Sequence, residues 1–138
     1  VKLLECIPGL QSAWFSVIAP GYHVPKHKGI TRGILRSHLG LSIPNNPKEC
    51  FMDVGNDRIY WEQGKVVVFD DTFEHEVWNN TDQERIVLLF DFDRPMKKIG
   101  RYIHDTSMKI FRRTAAYKDG VRSTIEIEKL FNREVRIR

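Results

Sequence analysis

Cysteine is nearly absent from this chain of 138 residues, with Cys6 and Cys50 its only two. Two thiols build no disulfide framework, and their spacing matches no zinc motif, so both are expected to be reduced and structural, in a reducing compartment. No apolar run approaches the roughly 20 residues that a membrane-spanning helix needs, and no secretory leader is visible. A cytoplasmic location is expected, with any membrane association made at the surface. An initiator methionine is lacking too. The chain starts at Val1, and residues 2–10 read as the end of a helix stopped by Pro8-Gly9, so the natural N-terminus is expected to be missing. Low-complexity segments and internal repeats are likewise absent. The composition, 41% hydrophobic and 29% charged, is that of one globular domain over residues 1–138, long enough to bury about two-thirds of its unfolded surface and to hold an internal site.

Helical periodicity is lacking between residues 13 and 95, where short runs rich in β-branched and aromatic residues are punctuated by turn residues. Strands are predicted at 13–19, at 22–27 with Pro25 placing that strand at an edge, at 34–43, 50–54, 58–61 and 66–69, around His75 to Trp78, and at 86–92. Pro20-Gly21, Gly55-Asn56-Asp57, Gln63-Gly64 and Asn79-Asn80-Thr81-Asp82 supply the turns. About eight short strands without an intervening helix indicate a sandwich or barrel. The reading favoured is a mainly β, jelly-roll or cupin-like double-stranded β-helix, because its mouth lets inward-facing polar residues converge.

Beyond Arg94-Pro95 the pattern changes. Ile99, Ile103, Ile110 and Phe111 recur at helical offsets over residues 96–117, with Lys97, Lys98, Arg101, Lys109, Arg112 and Arg113 on the other faces. Asp119-Gly120 ends this helix, and Ser123 with Glu126 is a capping box for a last one burying Ile127, Leu130 and Phe131. The net charge of +4 is unevenly spread. Residues 1–93 carry 9 basic and 13 acidic side chains, residues 94–138 carry 13 and 5, so a body of −4 bears a tail of +8. Such a tail suits an anionic membrane surface or lipid headgroup. Nucleic acid is the weaker expectation, and a plain solvated helix face is the alternative.

Of the five histidines, His27 and His75 are the candidate metal pair. Non-haem iron sites use two histidines and usually a carboxylate, commonly as His-x-Asp with a distant His; here residue 29 is glycine. Alternation places Arg36 and His38 on one strand face. Arg85 on this reading alone pairs with Glu84 or Asp82 at the surface. Asp70 and Asp71 resemble an acid–base pair, but aspartates closing a strand more often bond turn backbone, which is the role expected of them. Trp14, Trp61 and Trp78 are expected in the core, and His23 and His104 to be structural or exposed.

The segments FSVIAPGYHVPKHKG (15–29), LRSHLGLSIP (35–44), WEQGKVVVFDDTFEHEVWNN (61–80) and ERIVLLFDFDRP (84–95) resemble the aspartyl/asparaginyl β-hydroxylase family of Fe(II)- and 2-oxoglutarate-dependent oxygenases. The resemblance covers roughly residues 13–95 and leaves the tail outside it. It implies that His27 and His75 ligate iron, and that Gly29 stands where the animal aspartyl hydroxylases also have glycine and no third protein ligand. It implies that Arg85, assisted by Ser16, pairs with the distal carboxylate of 2-oxoglutarate, and that Arg36 and His38 contact its other end. The implied activity is hydroxylation of an unactivated C–H in an amino-acid, peptidyl or lipid acyl substrate. A non-catalytic β-barrel binding module keeping the same scaffold is the alternative.

Overall fold

A computed structural model describes residues 4–29, 31–111, 113 and 114. The chain divides into two compact units, Val1–Pro95 and Met96–Arg138. The first contains eight strands: β1 Leu10–Ile18, β2 His23–His27, β3 Ile34–Ser42, β4 Cys50–Val54, β5 Asp57–Tyr60, β6 Val66–Phe69, β7 His75–Asn79 and β8 Arg85–Asp93. Short 3-10 turns at Leu4–Cys6 and Pro47–Glu49 replace the terminal helix and part of the loop that the sequence suggested. The described part of the second unit is helix α1, Lys98–Phe111, shorter than the predicted span. The expected last helix lies outside the described residues.

The strands form two four-stranded antiparallel sheets, ordered β1-β8-β3-β6 and β2-β7-β4-β5. This is the mainly β, double-stranded architecture expected from the strand pattern. Because side chains alternate across a strand, register decides which of them share the interior. In the first sheet Ser16 lies opposite Val87, Ile18 opposite Arg85, Arg36 opposite Asp91 and His38 opposite Leu89. In the second, His75 lies between His27 and Val54, and Met52 lies opposite Val77.

Ile18, Cys50, Met52, Trp61, Phe69, Val77 and Val87 form the buried core, drawn from both sheets. Each such aliphatic side chain, removed fully from water, stabilises the fold by about 1.5–3 kcal/mol. Only Trp61 among the tryptophans is core. Trp14 is largely exposed, and Trp78 stacks on His23 with ring centroids 3.4 Å apart. The expectation of three core tryptophans therefore fails for two, because inward positions on a strand are set by register and not by apolarity. Cys50 is buried and Cys6 exposed, and no disulfide joins them.

Two local devices position the site. Gly40 on β3 leaves no room for a Cβ, which would overlap the backbone carbonyl of Glu62. That close approach, sealed by Gly64 N–H to Gly40 O at 2.8 Å, brings the segment bearing Trp61 onto β3. Asn79, fully buried, donates through Nδ2 to the carbonyls of Ile18, Ala19 and Gln83 at 3.1, 3.1 and 2.8 Å, and accepts from Thr81 Oγ1 at 2.7 Å. It ties the β7–β8 turn to the end of β1, satisfying backbone groups that would otherwise be buried without partners.

Candidate metal and anion site

His27 and His75 face each other across the β2–β7 ladder, ring centroids 4.1 Å apart. His27 is the last residue of β2, within the predicted strand 22–27, and pairs directly with His75. A bulge between Val24 and His27 shifts the register so that His27, itself exposed, pairs with the buried His75. Each ring is oriented by its own strand entry. His27 Nδ1 lies 2.8 Å from Pro25 O and His75 Nδ1 2.9 Å from Phe73 O. A carbonyl oxygen only accepts, so both Nδ1 atoms carry the proton and both Nε2 lone pairs are left free, the tautomer a metal ligand requires. Burial also pushes the His75 pKa down, keeping its ring neutral. Among the described residues no group of three or more His, Cys, Asp or Glu side chains converges to hold a metal ion; the ligands offered are the two imidazoles.

A carboxylate nonetheless lies beside the pair. A Cβ at Gly29 would overlap the side chain of Asp71, and Gly29 N–H donates to Asp71 O at 2.6 Å. The place of a side chain at position 29 is thus occupied by Asp71, reaching in from the loop between β6 and β7. Asp71 is 2% exposed, its Oδ2 lies 3.3 Å from Arg36 Nη1, and its Oδ1 is buried without a partner. Desolvation raises its pKa against the pull of Arg36. The expectation that both aspartates serve the turn therefore holds for Asp70 only. Asp70 Oδ1 accepts from Thr72 N–H at 3.1 Å and Oγ1 at 2.8 Å, and its Oδ2 pairs with Arg94.

The opposing sheet supplies donors. Arg85 is 1% exposed, and its guanidinium lies over the Trp61 ring, Cζ 4.6 Å from the centroid. Nη1 donates to Ser16 Oγ at 3.4 Å, Nε has no partner, and among the described residues no carboxylate pairs with it. The surface salt bridge to Glu84 or Asp82 is absent because β8 turns Arg85 inward. Desolvation lowers its pKa to about 10. Next to it, Trp61 Nε1–H donates to His38 Nδ1 at 3.2 Å. His38 Nδ1 is thus an acceptor, and the proton sits on Nε2, a buried donor with no partner. Burial, with Arg85 and Arg36 nearby, drives the His38 pKa to about 3, so this donor is neutral. Burying an unpaired cation and an unpaired donor costs several kcal/mol unless an anion answers them.

Arg36 shares the interior with His38, but its guanidinium is already engaged. Nε and Nη2 bond Asp91 at 2.8 and 2.9 Å while Nη1 faces Asp71. In this geometry it holds Asp71 in place. Sequence reasoning did not find Asp71, Asp91 or the Trp61 indole as site residues. An acidic residue within the apolar run of β8 was the available signal for Asp91; nothing local distinguished Asp71 from Asp70. A polar groove of about 460 Å³ at the β4–β5 turn, lined by Lys26, Asp53, Arg58, Glu74 and Glu76 among others, touches the histidine pair only at His75.

Two four-stranded antiparallel sheets in this order form a cupin-like, double-stranded β-helix barrel. A cupin protein from Bacteroides fragilis superimposes with a TM-score of 0.50 at 13% identity, covering 67% of this chain and 72% of that one, a likeness of fold alone. Residues 1–95 match the family model described as aspartyl/asparaginyl beta-hydroxylase, and the chain belongs to that family. It is 41% identical to the ornithine lipid ester-linked acyl 2-hydroxylase of Rhizobium tropici over 131 residues, 95% of this chain and 47% of that protein. It is 43% identical to the human aspartyl/asparaginyl beta-hydroxylase over 81 residues, 59% of this chain and 10% of that one. The chain thus spans about half the length of the first relative and a tenth of the second.

Proposed function

We propose that this chain forms the catalytic site of an Fe(II)- and 2-oxoglutarate-dependent hydroxylase acting on the acyl chain of a membrane lipid. The observation that carries the reading is Arg85, a fully buried guanidinium with no carboxylate partner among the described residues, set in the same barrel as two imidazoles with free Nε2 lone pairs. A dicarboxylate that chelates a metal at one end and needs a cation at the other fits both demands. The donor set suits iron: two neutral imidazoles leave positions open for a chelating co-substrate.

His27 and His75 would hold the metal through Nε2, their rings fixed by Pro25 O and Phe73 O. Arg85 would take the far carboxylate, steadied by Ser16 Oγ, and Trp61 shields that pair from water, which strengthens it. His38 Nε2–H would donate to an oxygen of the co-substrate. Arg36 fixes Asp71, whose Oδ1 would accept from a donor bound beside the histidines. The bound iron and 2-oxoglutarate would supply the two-electron oxidation that puts one atom of O2 into a C–H bond, with release of succinate and CO2.

The lipid substrate rests on how far the likenesses extend. A match over 95% of the chain runs well into the basic tail, whereas the match to the human β-hydroxylase spans 59%. The tail is thus shared with the relative named for a lipid. Lipid extract incubated with iron, 2-oxoglutarate and the protein should gain one oxygen per acyl chain with equal succinate, and His75→Ala should abolish both. Absence of manganese binding by electron paramagnetic resonance, or of succinate with every lipid tried, would leave the non-catalytic barrel as the reading.

A further inference from the structure

Helix α1 carries three isoleucines at offsets of four and seven, Ile99, Ile103 and Ile110. At 100° per residue they fall within about 40° of one another round the axis. All three face solvent, at 77, 62 and 64% exposure, with Tyr102 exposed beside them. The residues of the helix partly withdrawn from water are Gly100, Arg101, His104 and Met108, on the reverse of the cylinder. Among the described residues nothing covers the isoleucine stripe. Lys98 and Lys109 project from its Tyr102 flank, both exposed.

We infer that α1 is a surface anchor that lies in the plane of an anionic lipid bilayer, isoleucines among the acyl chains and lysines at the headgroups. The inference rests on the lipid-substrate reading above, since an enzyme acting on a membrane lipid has to meet the bilayer. Charge selects this occupant over the others. Residues 94–138 sum to +8, from 13 basic and 5 acidic side chains. A second copy seated on the stripe would bring two such tails together, whereas an anionic surface neutralises them. Nucleic acid would answer the lysines and leave the isoleucines in water. No helix among the described residues is long and apolar enough to cross a membrane, and at 14 residues α1 is about 21 Å long, suited to lying flat. A short apolar stripe alone binds weakly, and stable attachment takes a second signal, which the basic flank provides.

The test is co-sedimentation of the full chain with vesicles of phosphatidylcholine, alone or mixed with phosphatidylglycerol. Binding is expected only to the mixed vesicles and should fade as ionic strength rises from about 0.1 to about 1 M, where the screening length falls from about 10 to about 3 Å. Ile103→Asp should weaken it by at least about tenfold, and Lys98→Glu with Lys109→Glu, which halves the charge of the tail, should weaken the binding and flatten its salt dependence. Neither variant should move the melting temperature or manganese binding. No binding at low salt, binding indifferent to Ile103→Asp, a dimer in sedimentation velocity that Ile103→Asp dissolves, or a melting temperature lowered by Ile103→Asp would each overturn the inference, the last two by assigning the stripe to a second copy or to the chain itself. Vesicle binding is read without turnover. Binding without hydroxylation therefore counts against the functional reading alone, and hydroxylation of detergent-dispersed lipid without vesicle binding counts against the anchor alone.

Discussion

His75 on β7 and Arg85 on β8 are ten positions apart in the chain and belong to different sheets. The β2-β7-β4-β5 sheet contributes imidazoles whose protons are tied to backbone carbonyls, so it presents lone pairs. The β1-β8-β3-β6 sheet contributes a guanidinium with no carboxylate partner among the described residues and an imidazole N–H with no partner, so it presents donors. On the proposed reading one sheet would take a cation and the other an anion, with a ligand that chelates the one and is held by the other between them. Asp71 and Asp91 are both held by Arg36.

The largest effects should come from emptying one half at a time. His75→Ala is expected to abolish manganese binding and reduce turnover by at least about a hundredfold, while keeping the rise in melting temperature caused by 2-oxoglutarate without metal. Arg85→Met should show the reverse: metal binding retained, the 2-oxoglutarate shift and turnover lost. Because Met fills the volume without an unpaired buried charge, the free protein should melt no lower than wild type. If both variants lose both ligands together, the sheets do not divide the work this way.

Gly29→Asp should be next. It restores the usual His-x-Asp spacing, yet its side chain meets Asp71 in a buried space, so metal affinity should fall about tenfold or more and stability by about 1–3 kcal/mol. Adding Asp71→Gly should recover both, measured by metal titration and urea unfolding. Gly40→Ala should cost about 1–3 kcal/mol by overlap with the Glu62 carbonyl, and weaken co-substrate binding through Trp61 more than metal binding.

The smallest effect is on pH. The folded pKa of His38, about 3, lies below its ordinary 6.5, so the stability it confers is complete above about 6.5 and is lost as pH falls toward 3. The slope should be at most about 1.4 kcal/mol per pH unit. His75 shifts in the same direction and steepens it. In His38→Gln the acid-limb slope of unfolding free energy against pH should become shallower; an unchanged slope would show that His38 is not buried neutral.

Most strands were legible because each combines a β-branched or aromatic run with a turn residue at its end, as in Val66–Phe69 or the Asn79-Asn80-Thr81 turn. Pro25 marked β2 as an edge strand, and there it lies. The bulge that Pro25 accompanies was not legible, and with it the direct pairing of His27 with His75, since a register shift depends on the partner strand. Asp70 and Asp71 follow the same strand and precede the same turn. Only the approach of Gly29 from β2, 42 positions away, makes one a turn acceptor and the other a buried carboxylate. Trp14 and Trp61 are equally apolar on paper, and the close contact at Gly40 decides which is enclosed.

The order of amino acids by itself determined the eight-strand β body, the basic amphipathic helix and the motifs that carry the histidines and Arg85, because hydrophobic period and turn chemistry act over a few residues. Tertiary structure alone decided which polar groups are left unanswered. Pairing and burial are properties of space: Arg36 finds Asp91 and Asp71, Arg85 finds no carboxylate among the described residues, and nothing local to either arginine distinguishes the two outcomes.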